Sequence, residues 1–345
     1  MISTIVALFL LKNVYLPHMA LKLTTYYKGS DIPDLPGNNF FHSKELFLLY
    51  EATPSYTPIY IVATEEQKTL AKILVVIRKN TSLIPFSILN RCDVYGTGEY
   101  LDDTIDKETL FGEMLSHFTK EIFREASIIE FRNLNNSLFG YKHFRSNHYF
   151  PVNWLRVHNS LHSVKSVDER FTASRIRQIK KGLKNGAEVY EAQNKAEIQA
   201  FTKVMRRIYS ARIRRYFPGF EFFEHIDSTL LSAKIGKIFV VRYKDKIIGG
   251  SVLIFSEDTA YLWFSGGMRK TYASLYPGVL SVWAAMQYAH ENKYRHLEFM
   301  DVGLPFRKHG YRDFVLQFGG KQSSSRRWFR VRWKWLNKVL CKIYV

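Results

Sequence analysis

The chain has 345 residues, of which 46% are hydrophobic and 23% are charged. This composition describes a globular protein with room for roughly two domains and excludes disordered and fibrous classes. Two cysteines, Cys92 and Cys341, are too few for a disulfide framework, a zinc site or an iron–sulfur cluster held by four thiolates. Their scarcity also favours a reducing compartment.

The start of the sequence carries no membrane-spanning pattern. Its apolar run from Ile5 to Leu11 ends at Lys12, well short of the roughly 20 residues that cross a bilayer. No basic residue precedes the run and no small-residue cleavage site follows it, so a signal peptide is not expected. We interpret residues 1–18 as a short extension or a non-native start, with Met19 as an alternative first residue, and expect a cytoplasmic protein.

The formal net charge of +19 is concentrated in three segments, residues 170–184, 203–215 and 307–342. The first two contain no acidic residue. Such blocks suit the phosphates of a nucleotide, a transfer RNA, a lipid headgroup or a nucleotide-sugar carrier. An ordinary solvated face explains them equally well.

The sequence of the first half predicts a hairpin, then a helix, then a strand. Apolar runs on both sides of the polar turn 65–68, residues 60–63 and 71–77, predict two paired strands. Apolar residues at helical spacing between Leu110 and Ile122 predict an amphipathic helix, which leads into a strand at 129–135. A further strand is predicted at 154–158.

The second half repeats this order after two helices. Residues 174–182 form a basic segment typical of a helix, and 198–208 predict a second helix that must break around Phe217-Pro-Gly. A three-stranded meander spans residues 238–265, and a helix with apolar positions from Val279 to Ala289 leads to a strand at 297–303. Near the end of the chain, aromatic and basic residues alternate from Phe329 to Trp335, which predicts a strand with a basic face.

Two copies of hairpin, helix and parallel strand predict an α/β protein with tandem domains, each a central mixed sheet flanked by helices. We place the boundary near Val164–Val167. The predicted domains are therefore residues 19–165 and 166–345.

Several motifs resemble a known family. They are the basic helix Ser174–Gly182, the strand Tyr261-Leu-Trp-Phe-Ser-Gly-Gly followed by Pro277, the Asp301-Val-Gly and Phe318-Gly-Gly turns, and Phe41-His-Ser-Lys. The chain resembles the GNAT acyltransferase superfamily, in its double-domain branch that includes the Fem-type peptidoglycan aminoacyltransferases. The resemblance extends from Thr25 to the end of the chain, and it implies tandem GNAT-like domains and acyl transfer to an amine.

Two departures leave the donor open. The Arg/Gln-x-x-Gly-x-Gly/Ala loop of ordinary GNAT enzymes is replaced by the segment 269–278, and a Phe-Lys pair typical of Fem-type proteins is replaced by Phe314-Val315. The donor is therefore either an acyl-CoA such as acetyl-CoA or an aminoacyl-tRNA.

The helix that starts at Tyr276-Pro277-Gly278 is the predicted phosphate site. Its first backbone N–H groups and positive dipole end suit an anion, and proline at the first position costs no hydrogen bond. The resemblance implies that the donor lies between the strands 260–265 and 296–301, with its carbonyl on a backbone N–H near 264–267. The donor-binding candidates are Phe264, Ser265, Gly267, Arg269, Lys270, Tyr276, Pro277 and Gly278.

Asp301 and Tyr311 are the catalytic candidates. Asp301 follows the second of these strands, where its carboxylate would accept a proton from the incoming amine or orient it. Tyr311 would protonate the leaving group. A turn-forming role is the alternative for Asp301, since Asp before a turn glycine is common.

Arg175, Arg177 and Lys181 are predicted to line one groove of a basic helix and to bind the phosphates of the donor or acceptor. The aromatic and basic residues from Arg326 to Tyr344 either touch an anionic membrane surface or cover the core as an edge strand. No histidine set has metal-ligand spacing, and no Gly-x-Ser-x-Gly elbow occurs. A metal site and a serine hydrolase are not expected.

These features predict an N-acyltransferase that moves an acyl group from acyl-CoA to an amine on a small molecule, a sugar or a cell-envelope precursor. A Fem-type aminoacyltransferase that uses charged transfer RNA is the first alternative. A non-catalytic nucleic-acid-binding protein is the second, and for that protein the cleft near Phe264 and Asp301 would be filled.

Overall fold

The computed structural model describes residues 21–66, 68–79, 90–134, 136–162, 164–209 and 218–344. The predicted extension 1–18 and the predicted break at Phe217 lie outside these residues. No described helix is long and apolar enough to cross a membrane.

The first half contains seven described strands and three described α-helices. The strands are β1 (Lys22–Tyr26), β2 (Tyr56–Glu65), β3 (Lys68–Arg78), β4 (Arg91–Tyr95), β5 (Glu99–Tyr100), β6 (Ile128–Arg132) and β7 (Phe150–Ser160). The helices are α1 (Lys44–Glu51), α2 (Lys107–Ile122) and α3 (Tyr141–Ser146). The predicted hairpin is confirmed as β2–β3, and the predicted helix as α2, whose first N–H groups are capped by the Asp106 carboxylate.

The second half contains six strands and six α-helices among the described residues. The strands are β8 (Ala187–Glu191), β9 (Gly236–Tyr243), β10 (Lys246–Ser256), β11 (Thr259–Gly267), β12 (His296–Phe299) and β13 (Lys321–Val331). The helices are α4 (Ala173–Lys184), α5 (Lys195–Ile208), α6 (Phe220–Ile226), α7 (Pro277–Glu291), α8 (Gly310–Leu316) and α9 (Lys334–Ile343). The predicted meander is confirmed as β9–β10–β11, and the predicted helix after it as α7.

One mixed sheet passes through both halves. Its strand order is β1-β2-β3-β4-β6-β13-β7-β12-β11-β10-β9-β8, with β5 beside β3. In each half a helix connects two neighbouring parallel strands, α2 between β4 and β6 and α7 between β11 and β12. The α/β fold class with two similarly built halves is thus confirmed. The sequence analysis missed β4, a five-residue strand in the first half.

The two halves exchange their last strands. β7, the end of the first half, pairs with β12 of the second half, whereas β13, the end of the second half, pairs with β6 of the first. β7 and β13 also pair with each other over nine residues. The division at residue 165 remains a prediction, but the pairing means that neither half completes its sheet without the other.

A hydrophobic cluster also joins the halves. Buried residues of β2 and β3, such as Tyr60 and Val76, pack in the same cluster as Phe222 of α6 and Phe201 of α5. Since fully burying a large apolar side chain contributes about 1.5–3 kcal/mol, this shared cluster stabilises the association of the two halves.

The prediction for the end of the chain is wrong in two respects. β13 ends at Val331, and Trp335 lies on the helix α9 rather than on a strand. β13 is also not an edge strand, because it lies between β6 and β7 and buries Trp328 completely. β13 therefore covers the predicted segment only as far as Val331, and beyond it Trp333 precedes α9 and Trp335 is the second residue of that helix.

Candidate functional site

β11 and β12 separate halfway along β11. Their parallel pairing runs from Thr259 opposite His296 to Leu262 opposite Phe299 and then stops. A bulge on β11 follows at Trp263, because the register with β10 slips between Val252 and Leu253. From Phe264 to Gly267 β11 pairs only with β10. The backbone edge of these residues is therefore released from β12 at the position where the sequence predicted the acyl carbonyl to bind.

The start of α7 packs directly against the end of β11. A Cβ atom on Gly267 would lie 2.4 Å from the backbone nitrogen of Gly278, so only glycine permits this approach. The Ser281 hydroxyl bonds the Gly266 carbonyl (3.1 Å) and the Pro277 carbonyl (2.7 Å), which ties helix to strand.

The turn that leads into α7 is compact. Tyr276 adopts a left-handed conformation with φ of 48°, and its carbonyl accepts the N–H groups of Val279 and Leu280. Pro277 occupies the first helical turn, as predicted. Arg269 and Lys270 are exposed in the preceding loop. The structure thus brings the predicted residues 264–267 and 276–278 together at one helix start, beside a basic loop.

Asp301 is held by both exchanged strands. Its Oδ1 accepts the indole N–H of Trp154 on β7 (3.1 Å), and its Oδ2 lies 3.2 Å from the guanidinium of Arg327 on β13. Arg327 in turn stacks on the Trp154 ring at 3.7 Å. The Asp301 side chain is still 51% exposed, which leaves it accessible to a ligand.

The charge state of Asp301 follows from these contacts. Burial raises the pKa of its carboxyl, but the attraction of Arg327 and Arg132 outweighs burial and lowers the pKa below the ordinary value. Asp301 is therefore an ionised acceptor that holds a cation well and retains a proton poorly.

Tyr311 lies on α8, next to the released part of β11. Its hydroxyl is 3.4 Å from the Ser265 hydroxyl on the released part of β11. Burial raises the pKa of the Tyr311 phenol, and the Ser265 contact offsets only part of that effect. The phenol therefore stays protonated at neutral pH, as a proton donor must.

A cavity of about 360 Å³ opens beside Asp301 and Phe264. Elements of both halves line it, including Tyr50 of α1, Tyr95 of β4 and Phe222 of α6. Phe264 and Asp301 both reach this space, so among the described residues the cleft expected of a transferase is open.

The sequence analysis missed an arginine cluster in this cavity. Four arginines and three carboxylates meet there: Arg78, Arg91, Arg132 and Arg327 with Asp93, Glu130 and Asp301. Glu130 is fully buried and bonds Arg327 at 2.8 Å and Arg132 at 3.0 Å. The cluster carries one excess positive charge. Its signal in the sequence is the alternation of charges inside buried strands, as in Arg91-Cys-Asp93 and Glu130-Phe-Arg132.

The predicted basic groove on α4 is only partly present. Arg177 and Lys181 are exposed on one face, with Lys180 and Lys184 beside them. Arg175, in contrast, is 3% exposed: it stacks on Phe314 and Phe318 and donates to the Phe314 carbonyl at 2.9 Å. Arg175 is therefore part of the core and does not line the groove, because its side chain points towards α8.

The buried face of α4 packs against the turn before α7. A Cβ atom on Gly182 would lie 2.6 Å from the Leu275 carbonyl in the turn before α7, so the two elements touch at a glycine. In the described part of the chain, no group of three or more His, Cys, Asp and Glu residues is arranged to hold a metal ion.

Comparisons with known proteins agree with this geometry. Residues 173–308 match the family model described as an acetyltransferase (GNAT) domain. No curated protein matches the chain in sequence. FemX has a similar structure, with a TM-score of 0.63 and 12% identity, covering 93% of this chain and 99% of that one.

Two further solved structures share the double-domain fold. A tandem GNAT protein from the clavulanic acid biosynthesis pathway gives a TM-score of 0.57 at 9% identity, over 90% of this chain and 98% of the other. L-PGS from Bacillus licheniformis gives 0.55 at 11% identity, over 89% and 93%. At these identities the likeness establishes the fold alone. Together with the family match, the findings show a GNAT acetyltransferase domain at residues 173–308, in a chain whose overall fold is that of FemX and of the tandem GNAT protein.

Proposed function

We propose that the protein is an N-acyltransferase that moves an acyl group from an acyl-CoA to an amine on a small molecule, a sugar or a cell-envelope precursor. The observation that carries the proposal is the separation of β11 from β12 at Leu262, directly beside the start of α7. An extended thioester fits between the strands, and its pyrophosphate fits the positive dipole end of α7.

Residues 264–267 and 276–278 would hold the donor. Neither Gly267 nor Gly278 carries a side chain that would cover the helix start, so an anion could approach the Gly278 N–H. Arg269 and Lys270 are exposed beside it and add positive charge. These residues fit coenzyme A in chemistry, although the glycine-rich loop of ordinary GNAT enzymes is missing.

The acceptor would occupy the cavity beside Asp301. Ionised Asp301 orients the amine, and the excess positive charge of the arginine cluster favours an acceptor that also carries an anionic group. The amine nitrogen bonds the acyl carbon as the carbon–sulfur bond breaks. The thiolate takes the Tyr311 proton, and the amine proton leaves to water because Asp301 retains it poorly. Tyr311 then regains a proton from water, so the products are the amide and the free thiol.

A second donor, an aminoacyl-tRNA, is favoured by the basic face of α4. Arg177, Lys180, Lys181 and Lys184 are exposed on a helix that packs against the turn before α7, where an RNA backbone would reach the same opening. A non-catalytic nucleic-acid-binding protein is less well supported, since the cavity at Asp301 is open.

A thermal-unfolding screen separates these donors. Purified, nucleic-acid-free protein is heated with CoA, acetyl-CoA, a long-chain acyl-CoA, charged transfer RNA or uncharged transfer RNA. A ligand at about 100 times its dissociation constant stabilises the fold by roughly 2.7 kcal/mol. Stabilisation by an acyl-CoA alone supports the main proposal, whereas stabilisation by charged but not uncharged transfer RNA selects the aminoacyl donor. Stabilisation by neither class contradicts both.

A further inference from the structure

Asn337 holds the last helix, α9, against the rest of the molecule. Asn337 is 6% exposed; its Oδ1 accepts the Val331 N–H at 3.0 Å, and its Nδ2 donates to the His148 carbonyl at 2.8 Å. Both bonds reach backbone groups of other elements. They fix which side of α9 faces the molecule, and therefore which side faces solvent.

The solvent side of α9 presents an apolar ridge. Trp335, Val339 and Ile343 follow each other at four-residue spacing and are 71%, 48% and 66% exposed. Tyr344, just past the helix, is 45% exposed. Of the eleven large hydrophobic side chains that are exposed in the described residues, four lie in these last ten positions. This concentration marks a surface that contacts another apolar medium.

A lysine ridge runs beside the apolar one. Lys334, Lys338 and Lys342 are exposed at the same four-residue spacing, each one position before an apolar member. Residues 314–345 contain eight lysines and arginines and no acidic residue. Whatever covers the ridge is therefore both apolar and anionic.

We propose that α9 lies in the interface of an anionic lipid bilayer. Trp335, Val339 and Ile343 enter the boundary between headgroups and acyl chains, and the three lysines contact lipid phosphates. A bilayer meets both requirements along the full length of a straight helix, since its apolar layer and its phosphate layer are adjacent. An RNA has the negative charge that the lysines require but no apolar layer for the apolar ridge. A second copy of this chain has a net charge of +19 and would repel the lysines.

The test uses the full chain and vesicles of two compositions, phosphatidylcholine alone and phosphatidylcholine with 30 mol% phosphatidylglycerol. We expect sedimentation with the anionic vesicles, weakened by raising the salt concentration, and little with the neutral ones. The triple variant Trp335→Gln, Val339→Gln and Ile343→Gln keeps the charge and should bind at least tenfold more weakly. The variant Lys334→Gln, Lys338→Gln and Lys342→Gln should lose about a hundredfold at low salt.

A matched control removes exposed apolar side chains elsewhere. Leu138 and Val164 are 60% and 102% exposed, and Leu138→Gln with Val164→Gln should bind like the unmodified protein. Unchanged melting temperatures show that each variant is folded. Equal vesicle binding by the apolar-ridge variant and the control would overturn the proposal.

Two other results would also overturn it. In the first, the protein does not bind anionic vesicles but forms a dimer, and the apolar-ridge variant is monomeric. That result would make the ridge a contact between two copies of the chain. In the second, the protein does not bind vesicles but binds RNA, and only the lysine variant loses RNA binding. Neither result depends on the donor or acceptor of the acyl transfer, so the membrane proposal and the proposed function fail separately.

Discussion

The guanidinium of Arg327 lies 3.2 Å from the carboxylate of Asp301, although 26 positions separate them in a chain whose intervening residues form a helix and part of a strand. Arg327 lies on β13, the strand of the second half that pairs with β6 of the first. The indole N–H of Trp154, on β7, donates a second hydrogen bond to Asp301. The strand exchange therefore sets the position and the charge of the candidate catalytic carboxylate. Five predictions follow from this site and its surroundings.

Asp301→Asn should lower turnover much more than stability. The substitution keeps the shape but removes the charge that orients the amine, while Arg327 keeps its bond to Glu130. We expect turnover to fall at least tenfold and the free energy of unfolding to fall by about 1 kcal/mol. Steady-state kinetics and urea unfolding measure the two effects. Unchanged turnover would remove Asp301 from the reaction.

Arg327→Gln should destabilise the fold strongly. It leaves Glu130, which is fully buried, without its 2.8 Å partner on β13. Breaking a buried ion pair costs about 3–5 kcal/mol, and the remaining bond from Arg132 keeps the loss near the lower end. Arg326→Gln, one residue earlier on the same strand, is the control. Equal unfolding midpoints for the two variants would contradict the assigned role.

Gly267→Ala and Gly278→Ala should separate packing from donor binding. A Cβ at 267 would overlap the Gly278 nitrogen, whereas a Cβ at 278 would meet its nearest atom at an ordinary 3.6 Å. We expect Gly267→Ala to lower the melting temperature and Gly278→Ala to leave it unchanged while weakening donor binding. Calorimetric titration with CoA measures the second effect. Full donor affinity in folded Gly278→Ala would place the phosphates elsewhere.

His42 should make the fold sensitive to mild acid. Burial, followed by the repulsion of Lys72, lowers the pKa of this fully buried imidazole to about 3 from its usual 6.5. Between pH 6.5 and about 3, His42 is therefore protonated in the unfolded chain but neutral in the folded one. The contribution of His42 to the free energy of unfolding is thus complete above pH 6.5 and is lost as the pH falls towards 3.

The loss from His42 is about 1.4 kcal/mol per pH unit within that window. Urea unfolding at pH 7, 6, 5 and 4.5 measures it, and His42→Gln should flatten the curve over this range. The same slope in His42→Gln and in the unmodified protein would assign the acid sensitivity to other groups.

Substitutions of the buried and of the exposed basic residues of α4 should have opposite effects on stability and on donor binding. Arg175→Met removes a buried side chain that bonds Phe314, so it should lower stability and leave donor affinity unchanged. Arg177→Glu with Lys181→Glu reverses an exposed face and should weaken binding of a phosphate-rich donor without affecting the melting temperature.

The exposed pair Lys120→Glu and Lys142→Glu, on α2 and α3, carries the same charge change in the first half and serves as the control. Unaltered affinity in the α4 double variant would make that face an ordinary solvated surface.

Periodicity in the sequence determined the local elements of this protein. The spacing of apolar residues predicted α2, α7 and the two hairpin regions. A helix or strand that packs on a core needs apolar residues at its own repeat, whichever core it packs on. Glycines and a proline marked the start of α7, and Asp301 was identified by its position after a strand. These signals are local, and the structure places their residues around one opening.

Only the tertiary structure decided the strand exchange, the arginine cluster and the course of the chain after Val331. Strand pairing is a choice among distant partners, and no local pattern states that β13 leaves its own half to join β6. Arg175 and Arg177 look alike in sequence, yet one is buried and one exposed, because the direction of α4 depends on its packing against α7 and α8. Likewise, basic and aromatic residues alternate in the sequence up to Trp335, yet β13 ends at Val331 and α9 begins at Lys334, where Asn337 bonds the backbone of Val331 and of the distant His148.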